Sequence, residues 1–148
     1  MKKCVPFFFG LIPLALGWLL NYLMNVSSLF SGITGLIIAI ALLFFWGLLA
    51  YETNRMDRSS FTHAFKMNFI GLIMLVLVLI QELVLGSYWP NFIGVSSQFY
   101  FLPCLSVAFR IEGLFSLFFS LMQIWFSYAL VYVLMFAVSY IGSRLRRR

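Results

Sequence analysis

Four long runs of this chain contain no Lys, Arg or Asp: residues 5–24, 32–51, 67–85 and 114–141. A helix needs about 20 mostly apolar residues to cross roughly 30 Å of hydrocarbon at about 1.5 Å per residue. Each run meets that length, and the fourth is long enough to tilt or to extend past the bilayer. The runs are continuous rather than alternating, so they read as helices and not as barrel strands. Composition agrees. The 148 residues are 64% hydrophobic and 9% charged, against roughly 45–50% and about 25% in a soluble domain. So few charges cannot cover a small globule in water. Disorder is excluded as well, because it requires low hydrophobicity. The expected fold is an all-α integral membrane protein, a single four-transmembrane-helix bundle over 1–148.

The basic residues orient it. Lys2 and Lys3 precede the first run, and Arg55, Arg58 and Lys66 lie between the second and third. Arg144, Arg146, Arg147 and Arg148 follow the fourth. With an even number of spans, nine of the ten basic residues share one side and only Arg110 is left on the other. The positive-inside rule makes that side cytoplasmic and puts both termini there. Lys2 and Lys3 before an apolar run resemble the start of a signal peptide. The run is too long for one and no Ala-x-Ala site follows, so it reads as a retained span.

Residues 86–111 are apolar but interrupted by Pro90, Gly94, Ser96, Ser97, Gln98 and Pro103. Such residues disfavour a regular helix. The expectation is an aromatic outer loop at the interface between the third and fourth helices, with a short interfacial helix near 103–111. Tyr88, Trp89, Phe92, Phe99, Tyr100 and Phe101 suit the headgroup zone.

Small and polar residues mark the expected packing seams, since helices in lipid associate through them. Gly10, Pro13, Gly17, Asn21 and Asn25 share one face of the first run. Gly32, Gly35 and Ala39 share one face of the second, with Gly47 and Ala50 lower down. Asn68, Gly71 and Glu82 share a face of the third, and Ser116, Ser120, Gln123 and Ser127 a face of the fourth. The polar groups concentrate toward the outer ends, and the inner halves read as an almost wholly apolar floor, with Asn68 near the boundary. An outer ligand-binding pocket is therefore expected from Asn21, Gln81, Glu82, Arg110 and Gln123, with the aromatic loop as its lid. The competing expectation is structural: Glu82 pairs with Arg110, and Glu112 competes for the arginine.

Several activities lack their residues. A proton-coupled pump needs an ionisable group near mid-membrane, and Glu52, Asp57, Glu82 and Glu112 all lie elsewhere. His63, the only histidine, reads as a solvated loop residue far from the outer serines, so no Ser/His/Asp triad is expected. Cys4 and Cys104 fall on opposite sides of the bilayer and form neither a Cys-x-x-Cys nor a zinc pattern. No catalytic residue, metal site or cofactor is expected. The basic ends lack a globular domain to present them to nucleic acid. Arg144–Arg148 points instead to anionic lipid.

The segment QELVLGSYWPNFIGVSSQFYFLP resembles stretches of small four-span proteins from Gram-positive bacteria, a resemblance that implies no activity. The functional expectation is a non-enzymatic module of the cell membrane. It binds a ligand or acts as the membrane subunit of a larger transporter. An oligomeric, holin-like pore is the second expectation, and a lipid-headgroup-modifying enzyme the third.

Overall fold

Pro13 decides how the first apolar run folds. Its ring lacks an N–H and strikes the carbonyl four residues back, so no regular helix passes through residues 9–13. The computed structural model describes residues 5–27, 32–54, 59–115 and 123–146. It divides this run into α1 (Val5–Phe9) and α2 (Ile12–Val26), with Pro13 in the first turn of α2, where the missing donor costs nothing. The chain continues through α3 (Ile33–Thr53) and α4 (Ser60–Leu79). A π-helical turn over Ile80–Val84 extends α4. Gly86, at φ 61°, stops it, and the Ser87 N–H returns to the Gln81 carbonyl at 3.1 Å. A left-handed glycine is the usual device for closing a helix this way.

Four helical segments are long and apolar enough to cross a membrane: Pro6–Val26, Ile33–Thr53, Ser60–Val84 and Ile124–Leu145. The last of these is α7. The described residues contain no strand. The third segment begins seven residues before the expected residue 67, because Ser60–Lys66 continues the helix. The fourth begins at Ile124 rather than 114. Ser116 and Ser120, like Cys4, lie outside the described residues.

Residues 86–111 are more helical than expected. A helix covers the expected 103–111, and a second one precedes it where loop was expected. Phe92–Phe99 forms α5 and Leu102–Phe115 forms α6, and the two meet at a 57° bend. Asn91 starts α5 by accepting a bond from the Gly94 N–H at 2.9 Å, as an N-cap does. At the bend, Tyr100 and Phe101 are buried in a core with Trp46, Met67, Val131 and Met135. Glycines admit Phe99 and Tyr100. A Cβ at Gly17 would run into the Phe99 carbonyl, and one at Gly71 would lie 2.9 Å from the Tyr100 hydroxyl. Trp18 stacks on Phe92 with ring centroids 5.7 Å apart and meets Phe99 edge-on at 4.8 Å. The aromatic residues expected in the headgroups are therefore partly core residues. Proline and serine bend the segment without excluding it from the bundle.

The expected seams hold in part. Gly10, Pro13, Gly17, Gly35, Ala39, Ala50, Asn68, Gly71 and Ser127 are buried, Asn21, Gly47 and Glu82 are half-buried, and Asn25, Gly32 and Gln123 are exposed. Another close backbone contact joins α3 to α7, where a Cβ at Gly142 would run into the Gly47 carbonyl.

Candidate functional site

Polar side chains gather at both ends of the bundle. The end carrying the C-terminus of α7 is called here the basic end. There Asn54 Nδ2 donates to the Ser143 carbonyl at 2.6 Å, and Ser60 Oγ donates to the same carbonyl at 3.2 Å. These bonds bring the end of α3, the start of α4 and the end of α7 together. Asn54 Oδ1 and Ser143 Oγ are buried beside them without a hydrogen-bond partner. Next, Thr53 Oγ1 donates to the Leu49 carbonyl at 2.6 Å and lies 2.9 Å from His63 Nε2. A hydroxyl has one proton to give, so Nε2 is the donor to Thr53.

Deeper still, Asn68 links three spans. Its Nδ2 donates to Ser139 Oγ at 2.7 Å and to the Ala64 carbonyl at 2.8 Å. Its Oδ1 accepts from Trp46 Nε1 at 3.2 Å. Ser139 Oγ passes its own proton to the Phe136 carbonyl at 2.9 Å. The expectation of a nearly apolar inner half is corrected here, and so is that of a solvated His63, which is fully buried. On the rim, Arg146 Nη1 reaches Glu52 Oε2 at 3.1 Å and the Tyr51 carbonyl at 2.9 Å. Its guanidinium stands 5.2 Å from the centroid of the Tyr51 ring.

At the opposite end, the widened π-helical turn directs Gln81 into the bundle, where it is fully buried. Its Nε2 donates to Ser97 Oγ at 3.0 Å, and its Oε1 accepts from the Trp89 N–H at 2.9 Å. Glu82 is half-buried and accepts a hydrogen bond from the Tyr88 hydroxyl. Partial burial, then that bond and the carboxylate charge, push the Tyr88 phenol above its ordinary range. Glu112 accepts from Ser127 Oγ at 2.6 Å, joining α6 to α7.

The five residues expected to form an outer pocket are not joined to one another. Gln81 and Glu82 are engaged as described. Gln123 is exposed and accepts from Trp125 Nε1 at 2.5 Å. Asn21 is half-buried on α2, and Arg110 is exposed on α6. Arg110 pairs with neither Glu82 nor Glu112, which corrects the expected ion pair: Tyr88 and Ser127 take the two carboxylates instead. Among the described residues no three His, Cys, Asp or Glu side chains gather as a metal ion requires.

A concavity that sequence reasoning missed opens on the outer surface of the bundle between α3 and α7, near the basic end. It holds about 230 Å³ and is lined by Phe44, Gly47, Leu48, Tyr51, Val138, Ile141, Gly142 and Leu145. Gly47 was legible as a seam residue; its contact with Gly142, 95 positions on in the sequence, was not. No family model matches the chain, and neither the curated proteins nor the solved structures provide a match. The resemblance of residues 81–103 to small four-span proteins therefore brings no family with it.

Proposed function

We propose that this chain is a non-enzymatic, multi-pass module of a cell membrane that binds a lipidic ligand and serves as the membrane subunit of a larger transporter. One observation carries the reading. The buried polar side chains bond mainly to neighbouring helices and turns, while the groove between α3 and α7 is apolar and opens on the outer surface of the bundle. Polar groups inside a bilayer are otherwise expected to line a wet cavity or a relay. Here Asn68, Gln81 and Ser139 act as glue. The centre of the bundle is filled by Phe101, Val131 and Met135, which argues against a conduit through a single copy.

Both termini are assigned to the cytoplasmic side on the strength of the nine basic residues. The junction of Asn54, Ser60 and Ser143 gathers the ends of α3 and α7 with the start of α4, so the 54–60 connection and the C-terminal end of α7 share one end of the bundle, as this assignment requires.

Reconstitution into dye-loaded vesicles tests the functional reading. The purified chain should leave the dye trapped, and crosslinking in native membranes should join it to a second membrane protein. Dye release by the chain alone would favour the oligomeric pore. Headgroup turnover in the same vesicles, lost in Glu82→Gln, would favour the enzyme.

A further inference from the structure

We propose that the groove between α3 and α7 is a site for one acyl chain of an anionic phospholipid, with Arg144 holding its phosphate. The floor is set by chemistry already described: Gly47 and Gly142 lack side chains where the two helices touch, so the surface is hollow there. Phe44, Leu48, Ile141 and Leu145 form exposed apolar walls, complementary to a hydrocarbon chain. Ile141 and Leu145 also line a second, adjoining hollow together with Tyr140 and Arg144. An apolar slot thus runs into a cationic mouth flanked by tyrosines, the order of groups that a phospholipid presents from tail to headgroup.

The charges at the mouth differ in availability. Arg146 lies over Tyr51 on the other wall, but Glu52 holds it at 3.1 Å. That carboxylate lowers its attraction for a phosphate. Arg144 is exposed, and none of the described acidic side chains pairs with it. A guanidinium is suited to a phosphate through its forked donors. The proposal rests on the reading above only in requiring a lipidic ligand; failure to find a transporter partner leaves it standing.

The test uses the whole chain in mild detergent, titrated with phosphatidylglycerol or phosphatidylcholine and read by native mass spectrometry. Phosphatidylglycerol should be retained several-fold more than phosphatidylcholine. Arg144→Gln should weaken retention about fivefold, the equivalent of about 1 kcal/mol per basic residue near the headgroups. Leu48→Trp, which fills the slot from an exposed position, should reduce retention without lowering the melting temperature in lipid-free detergent. Arg110→Gln, at the far end of the bundle, should change nothing. Free glycerol 3-phosphate should not displace the lipid, because it lacks the acyl chain. Equal retention of the two lipids, or full retention by both Arg144→Gln and Leu48→Trp, overturns the site. Displacement by glycerol 3-phosphate overturns the groove as the anchor. Conversion of a dimer to a monomer by Leu48→Trp would make a second copy the occupant and also overturn it.

Discussion

At the basic end, the bonds of Asn54, Ser60 and Asn68 to α7 join residues 71 to 89 positions apart. At the opposite end, Gln81, Glu82 and Glu112 bond to residues only 4 to 16 positions away. The first set holds three spans in register. The second staples the bent α5–α6 pair to the spans that precede and follow it. In lipid no hydrophobic force draws helices together, so close backbone approach and interhelical hydrogen bonds must do so. The contrast teaches that similar polar residues serve different scales: long-range bonds fix the bundle, and local bonds place an insertion within it.

The largest expected effect breaks the long-range end. Gly142→Leu places a Cβ against the Gly47 carbonyl, a backbone atom that cannot swing aside. Overpacking of this kind should cost about 3 kcal/mol, seen as loss of the folded fraction in detergent-unfolding titrations. Gly113→Ala is the control, because a Cβ there meets nothing within 4 Å. It should be neutral or gain up to about 1 kcal/mol from helix propensity. Equal losses in the two variants would show that glycine content matters rather than the α3–α7 contact.

These two positions also show what a sequence can and cannot disclose. The four spans were legible because hydropathy is a local property and lipid demands it over a fixed length. The seams on α2, α3 and α4 were legible because small residues repeat at helical spacing. The partners were not. Nothing near Asn54 indicates that it will meet Ser143, and His63 in SFTHAFK reads as loop until Thr53 is brought beside it. Residues 86–111 misled for a related reason. Pro90 and Pro103 correctly mark ends of helices, yet local chemistry does not say whether an aromatic segment rests on the membrane or enters the bundle. Gly17 and Gly71 decide that, from other helices.

The next effect compares the two glues directly. Asn68→Leu removes the bonds to Ser139 and Trp46 and strands the buried indole N–H. Gln81→Leu removes those to Ser97 and the Trp89 N–H. Intramembrane hydrogen bonds average about 0.6 kcal/mol and reach about 1.7. Asn68→Leu should therefore cost about 1–2 kcal/mol and loosen α3, α4 and α7 together. Gln81→Leu should cost about 1 kcal/mol, with faster amide exchange confined to residues 89–99. Exchange that rises throughout the bundle in Gln81→Leu would erase the distinction between the ends.

The smallest effect concerns Glu82, where the expected partner was Arg110 and the observed one is Tyr88. If Tyr88 is the partner, Glu82→Gln and Tyr88→Phe should each destabilise slightly. Their combination should then cost less than the sum, as coupled neighbours do. Arg110→Gln should be additive with both and close to neutral by itself, since exposed charges away from partners contribute little. Alkaline pH adds a second measurement with a defined sign. The phenol's folded-state affinity for its proton is raised, first by burial and then by Glu82. The stability this contributes is present below about pH 10, the ordinary tyrosine value, and is lost as pH rises beyond it. Between pH 8 and 11 the wild type should therefore lose more stability than Tyr88→Phe, while Arg110→Gln should follow the wild type. Coupling between Glu82 and Arg110, with none between Glu82 and Tyr88, would restore the ion pair and remove the local staple from the comparison.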